Sequence, residues 1–205
     1  MHVVHLNGSP RGDHSESGKV AAAYLESLRA ADPGLTVDRL DLFALTPFAA
    51  AGASAKMDVI AGEDVAGDRR AAWDDALATT ARLRAADLVL AAVPMWNGGI
   101  PWALKLFIDT VTQPGLAFAF DPEMGYSGLL GGRRAVVVYT SQVYAPGVPA
   151  TFGTDFQSTY FENWLRFVGI DRIETLRLQP TYAGDPGLPA RRDRVHREAR
   201  ELARA

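Results

Sequence analysis

Short apolar runs bounded by turn-forming residues recur along the chain at residues 3–6, 37–40, 88–93, 135–139 and 173–178. Runs of this length predict strands. Between them, apolar residues return every three or four positions, the spacing that predicts helices. Ala21, Tyr24, Leu25 and Leu28 mark a helix over 17–30, closed by Asp32-Pro33-Gly34. Trp73, Leu77, Thr80 and Leu83 mark another over 70–85, and Leu104, Phe107, Ile108 and Val111 mark a third that begins at Pro101, a favoured first-turn residue. A fourth helix is expected over 157–168 and a last one from 189 to the end. Strands alternating with helices predict an α/β domain with a parallel sheet covered on both faces. Five strands in this pattern favour a doubly wound sheet of order 2-1-3-4-5 in one domain spanning 1–205.

Two stretches break the alternation. Residues 44–68 are rich in alanine, glycine and small polar residues, and 115–132 hold Phe118-Ala119-Phe120 followed by a turn-rich segment. Loops of this length are expected to cover a site or contact a partner. For 49–55, a mobile surface excursion is weighed equally with a covering role.

Composition narrows the chemistry. The chain is 205 residues long, 48% hydrophobic, and carries a formal net charge of −3. Neither that charge nor any basic block favours nucleic acid or an anionic membrane. There is no cysteine, which excludes disulfides, thiolate metal sites and cysteine nucleophiles and fits a reducing cytoplasm. No secretory signal is expected ahead of the first strand, and no apolar run approaches the roughly 18 residues a spanning helix needs.

The first loop, Asn7-Gly8-Ser9-Pro10-Arg11-Gly12-Asp13-His14-Ser15-Glu16-Ser17-Gly18-Lys19, follows a strand and opens a helix, the arrangement of a phosphate cradle. A Walker-type loop needs four residues before Gly-Lys and then Ser or Thr for magnesium. Here five residues separate Gly12 from Gly18-Lys19, and Val20 follows. The glycine spacing also fails the dinucleotide fingerprint, and no Gly-x-Ser-x-Gly elbow surrounds Ser9, Ser15 or Ser17. Hydroxyls at Ser9, Ser15 and Ser17, free helix-start amides and the absence of a magnesium ligand suit one small phosphate. Arg11 or Lys19 is placed to offset its charge, while Asp13 and Glu16 disfavour a polyphosphate. An ordinary capped helix is the alternative for this segment.

Ligands of doubly wound sheets bind beyond the carboxyl ends of the strands. The loop after the third strand, Pro94-Met95-Trp96-Asn97-Gly98-Gly99-Ile100-Pro101-Trp102, offers an aromatic, a thioether, an amide and two glycines that allow close approach to a flat ligand. The loop after the fourth, Tyr139-Thr140-Ser141-Gln142-Val143-Tyr144, is again polar and aromatic. One phosphate site with two loops suited to a flat heteroaromatic ring describes a flavin mononucleotide pocket better than a nucleoside triphosphate one. Trp102, inside a helix, is expected to pack in the core or at an interface.

The chain resembles the FMN-dependent NADH:quinone reductases and azoreductases of the flavodoxin-like fold. The resemblance is carried by Asn7-Gly8-Ser9-Pro10-Arg11 with Ser15-Glu16-Ser17, Ala72-Trp73 ahead of Ala85-Ala86-Asp87, and Pro94-Met95-Trp96-Asn97. It continues through Ile100-Pro101, Leu104-Lys105, Ile108-Asp109, Gln113-Pro114-Gly115-Leu116-Ala117-Phe118 and Phe167-Val168-Gly169-Ile170, covering nearly the whole chain. It implies that Ser9, Arg11 and Ser15-Glu16-Ser17 hold the FMN phosphate and that Pro94-Met95-Trp96-Asn97-Gly98 lie along the isoalloxazine. It also implies that Thr140-Ser141-Gln142-Val143 meet the pyrimidine side of that ring. Two departures stand where substrate and nicotinamide would stack. Gly98 takes the place of a bulky aromatic, and Gln142-Val143 that of a glycine pair. Gly98 is therefore expected to widen the acceptor side.

With FMN bound, no side chain need act as nucleophile or base, since the flavin carries the hydride chemistry. The resemblance implies a ping-pong cycle in which NADH or NADPH donates two electrons and a quinone or azo compound receives them. No protein metal site is expected. His5 alternates within its strand and is expected in the core or on the sheet surface, and His14 near the phosphate. A flavodoxin-type electron carrier, which tends to be strongly acidic, is the rival reading, and a flavin-free regulatory domain a third. The family implies a homodimer with shared sites, and a cytoplasmic location is expected from the missing cysteines. Phe48, Met57, Ile60, Phe118 and Phe120 in the two irregular stretches are the expected contact residues.

Overall fold

Each predicted apolar run forms a strand of one parallel sheet in the computed structural model, which describes residues 1–205. The chain runs β1 (His2–Asn7), α1 (Glu16–Ala31), β2 (Thr36–Asp41), α2 (Ala50–Ala61), α3 (Asp68–Ala85), β3 (Leu88–Pro94) and α4 (Trp102–Val111). It continues with β4 (Phe118–Asp121), β5 (Gly125–Gly128), β6 (Arg134–Thr140), α5 (Gln157–Phe167), β7 (Arg172–Leu178) and α6 (Leu188–Leu202). The main sheet has the order β2-β1-β3-β6-β7, and the antiparallel hairpin β4-β5 is set apart from it. With the hairpin left out of the count, this is the expected 2-1-3-4-5 order.

Burial explains why the strands were visible in the sequence. Leu88 to Val93 of β3 and Ala135 to Thr140 of β6 are buried without a break, because central parallel strands have helices on both faces. The edge strands β2 and β7 are only partly covered. Alternate residues feed two cores. Val4, Leu6, Val89 and Val137 pack with Leu104, Phe107 and Leu165 on the face of α3, α4 and α5. Val3, Leu90 and Val136 pack with Tyr24, Leu25 and Val195 on the face of α1 and α6.

The two irregular stretches are more ordered than expected. Within 44–68 lies α2, whose buried residues are Gly52, Ala55 and Asp58. A helix that buries small residues leaves no periodic apolar signal, although its alanines favour the helix itself. Gly62 ends it in the left-handed region (φ 73°), and Arg69 holds Asp58 at 2.8 Å. Within 115–132, the β4-β5 hairpin lays Phe118 against Tyr126 (5.6 Å between centroids) and Phe167 (5.3 Å). Phe118 and Phe48 are therefore half-buried within their own chain, whereas Met57, Ile60 and Phe120 remain exposed.

Candidate functional site

At the end of β1 the Gly8 N–H donates to Ala92 O of β3 (2.9 Å), so the loop leaves the sheet pressed against its neighbour. A Cβ at Gly8 would stand 2.8 Å from that same oxygen, which explains the glycine. The Ser9 N–H donates to Asn7 Oδ1 (3.1 Å), and a 3₁₀ turn at Gly12–His14 leads into α1. Ser15 is the N-cap: the Gly18 N–H donates to its Oγ at 3.0 Å. Ser17 Oγ lies 3.3 Å from Ser15 Oγ and caps nothing.

The hydroxyls of Ser9, Ser15 and Ser17 are all buried, and the backbone N–H groups of Glu16 and Ser17 donate to no protein acceptor. Free amides at the start of a 16-residue helix, beside buried hydroxyls, are the elements of an anion site. The Glu16 carboxylate does not oppose this, because it is paired. Arg192 donates to its two oxygens from Nε (3.0 Å) and Nη2 (2.6 Å). Burial acts to raise the pKa of Glu16, but the hydrogen bonds and charge of Arg192 outweigh it and hold the group below its ordinary value. Arg11 borders the same cleft, whereas Lys19 lines two neighbouring grooves, one toward β2 and one toward α6.

The loop after β3 begins with the Met95 N–H donating to Thr140 O of β6 (2.7 Å). Trp96 and Gly99 then exchange two backbone hydrogen bonds, both 2.9 Å, around the pair Asn97-Gly98. Asn97 (φ 50°) is the one non-glycine residue of the chain with positive φ, and Gly98 follows at 82°. This is the two-residue turn that Asn-Gly favours, since both central residues need left-handed backbone. Gly98 thus has a backbone reason to be glycine, and an aromatic there would strain the turn whatever room it found.

The loop after β6 is held from the segment that follows β7. The Thr181 N–H donates to Ser141 O (2.9 Å) and to Gln142 O (3.2 Å), and its hydroxyl to Ser141 O (3.0 Å). The Ser141 hydroxyl in turn donates to Tyr144 O.

Together these loops enclose a cleft of about 450 Å³, within the range of small-molecule pockets. The structure brings eleven of the expected residues onto its wall: Ser9, Arg11, Ser15, Glu16, Ser17, Pro94, Met95, Trp96, Thr140, Ser141 and Gln142. Buried hydroxyls and free amides stand at one end, Met95 and Trp96 at the other, which fits a phosphorylated ligand with a flat apolar ring. Three expected residues lie off this wall. Asn97 borders a neighbouring cavity of about 860 Å³, Gly98 sits at the turn tip, and Val143 is exposed. Thr181 and Ala183 line the cleft and were not expected. Their only sequence signal is a position just past the last strand, at the sheet's carboxyl end.

His5 is set apart from the cleft. Its imidazole faces the groove between α1 and β2, where burial and the Arg39 charge push its pKa down to about 4. His14 is exposed in the 3₁₀ turn. Trp102 is not a core residue: it is 57% exposed, with Phe43 edge-on at 5.5 Å. No helix is long and apolar enough to cross a membrane.

Residues 1–203 match a family model described as the flavodoxin-like fold. An FMN-dependent NADH:quinone oxidoreductase of Ruegeria pomeroyi is 44% identical over 185 residues, 89% of this chain and 91% of that one. A second protein of that name from Pseudomonas syringae is 38% identical across 100% of this chain and 99% of its own. Among solved structures, an azoreductase of Bacillus anthracis superposes with a TM-score of 0.90 at 23% identity, covering 100% of this chain and 99% of that one. An FMN complex of an NADH-azoreductase from the same species gives 0.81 at 22% identity, with 98% of each chain covered. At these identities the two structures speak to the fold.

Proposed function

The chain belongs to the flavodoxin-like family of FMN-dependent NADH:quinone oxidoreductases, and we propose that it is a single-domain enzyme passing two electrons from NADH to quinones and azo compounds. The observation that carries this reading is the cleft itself. Three buried serine hydroxyls and two free amides stand at the start of α1, across from Met95 and Trp96. When bound, FMN supplies the hydride chemistry, receiving two electrons from NADH and yielding them to the acceptor in a ping-pong cycle.

The protein's part is binding and orientation. Ser9, Ser15 and Ser17 with the Glu16 and Ser17 amides hold the phosphate, and the positive end of the α1 dipole favours its charge. Arg11 adds a cation at the same mouth. Met95 and Trp96 give the ring an apolar bed, and Thr140, Ser141 and Gln142 offer polar contacts on its other edge. Trp96 lines both the cleft and the larger cavity, and Asn97 borders the latter, on the side open to donor and acceptor, with Gly98 at the turn tip beside them. Kinship with named oxidoreductases favours this over an electron carrier.

The larger cavity is lined by Trp96, Ile100, Trp102, Phe156 and Tyr160, four of them sizeable aromatics with partly exposed rings. A second copy of the chain covering this face would complete the acceptor side, and we assign the working form as a homodimer. A cysteine-free chain that draws on NADH belongs in the cytoplasm.

The test is the visible spectrum of the purified protein with FMN before and after anaerobic NADH. The expected result is a flavin band bleached by NADH and restored by a quinone. A protein that ignores added FMN overturns the cofactor, and a bound flavin that NADH leaves oxidised overturns the enzyme in favour of a carrier.

A further inference from the structure

Gln157 stands at the first turn of α5, is fully buried, and does not line the cleft. Its Nε2 donates to Val93 O at 2.7 Å and to Thr140 O at 3.3 Å. Its Oε1 accepts from Gln179 Nε2 at 3.3 Å. Val93 and Thr140 are the last residues of β3 and β6 before their loops, apart from Pro94, and Gln179 follows the end of β7. One carboxamide therefore meets the roots of all three loops that form the ring end of the cleft.

Gln157 adds a tie where the sheet ends. The ladder between β3 and β6 runs out here, past the paired Pro94 and Thr140. The Met95 N–H reaches Thr140 O, which Gln157 shares, while the other Gln157 hydrogen takes Val93 O. The carboxamide uses both donors and its oxygen, a fully satisfied buried group of the kind that specifies one geometry. The start of α5 is fixed in turn. Asp155 accepts from the Ser158 N–H (2.7 Å) and the Ser158 hydroxyl (2.5 Å). The Phe156 N–H donates to Gly98 O (3.0 Å), so the same short segment holds the loop after β3 at both its tip and its root.

We propose that Gln157 is a positioning residue whose buried carboxamide sets the separation between the Met95-Trp96 and Ser141-Gln142 walls of the cleft. The inference rests on the FMN reading and adds a residue to it that touches neither cofactor nor substrate. Because it acts at the ring end, its loss is felt by any ligand with the ring, with or without the phosphate.

The variant Gln157→Leu keeps the bulk and removes both side-chain donors, so that Val93 O loses its 2.7 Å partner and Thr140 O keeps only the Met95 N–H. Riboflavin and FMN are each expected to lose about tenfold in affinity, by equal factors, for a loosened ring site. The bound-flavin absorption band and midpoint potential should shift, and kcat for quinone reduction should fall roughly tenfold or more with little change in the KM for NADH. Gln157→Glu should regain part of its riboflavin affinity as the pH is lowered from about 8 to about 5, because a protonated carboxyl restores one donor.

Wild-type protein that binds FMN, with a Gln157→Leu variant unchanged in both affinities, band and potential, overturns the positioning role alone. Wild-type protein that binds no flavin overturns the FMN reading and this inference with it. If Gln157→Leu does not fold, Gln179→Leu decides the matter, since it removes only the bond that orients the carboxamide. A roughly threefold loss for both flavins is then expected, and unchanged binding overturns the proposal.

Discussion

Ser15 shows how one side chain serves both folding and binding. Its Oγ accepts the Gly18 N–H and so spares α1 one orphan donor, while its hydroxyl lies 3.3 Å from that of Ser17 at the edge of the cleft. Ser9, Ser15 and Ser17 were legible from hydroxyl type and position at a helix start, because capping and anion binding draw on the same few residues. The roles within the set were not legible: that Ser17 caps nothing and that Glu16 is turned onto Arg192 depend on α6, far along the chain. Thr181 escaped notice for the same reason, since only the register of β7 brings it to Ser141. The double variant Ser15→Ala, Ser17→Ala removes the cap and two phosphate partners, each worth on the order of 1 kcal/mol. Its FMN affinity should fall roughly tenfold or more, with a smaller loss for riboflavin, which lacks the phosphate. Titration of both flavins checks this, and equal losses would move the phosphate away from the first loop.

At the scale of elements, central strands announced themselves and small-residue packing did not. An unbroken buried run such as 88–93 has few other readings, whereas α2 meets the body through Gly52 and Ala55 and leaves no stripe of large apolar residues. The β4-β5 hairpin was hidden in the same way, because its seat on the end of α5 is a contact between glycines. A Cβ at Gly128 would stand 2.2 Å from Gly169 N and 2.3 Å from Val168 C, both backbone atoms. Gly169 itself ends α5 in the left-handed region (φ 95°), and the Leu130 N–H donates to Val168 O (2.8 Å) just beyond. Gly128→Ala must push the hairpin off this seat, an overpacking expected to cost about 1–3 kcal/mol. Gly131→Ala is the matched control, since its Cβ would have 3.8 Å to the nearest atom. A lowered urea midpoint for the first variant with a near wild-type midpoint for the second is the expected result, and equal midpoints would show that the hairpin yields freely.

For the whole molecule, the question is which face meets a second copy. The sequence singled out apolar residues in its two irregular stretches, and the structure divides that set. Phe118 is spent on Tyr126 and Phe167, while Met57 (61% exposed), Ile60 (57%) and Phe120 (60%) stay free. A stronger candidate lies elsewhere: Trp102 at the start of α4, expected in the core or at an interface, is 57% exposed and Phe156 before α5 is 63% exposed, both on the 860 Å³ cavity. Exposed rings gathered around one concavity mark a contact surface, whereas single exposed apolar residues are ordinary. The cavity also adjoins Trp96 and Asn97, so a twofold contact there would bury the rings and wall off both acceptor sites at once. Trp102→Glu places a charge in that contact without touching the flavin cleft, and burying an unpaired charge is costly. The FMN-bound wild type should sediment as a dimer at micromolar concentration. The variant should shift to a species near the 22.1 kDa chain mass, keep its FMN, and lose most quinone reductase activity. A wild-type protein that sediments near 22.1 kDa with full activity would mean that one chain shields its own flavin, and the open aromatic cavity would then need another occupant.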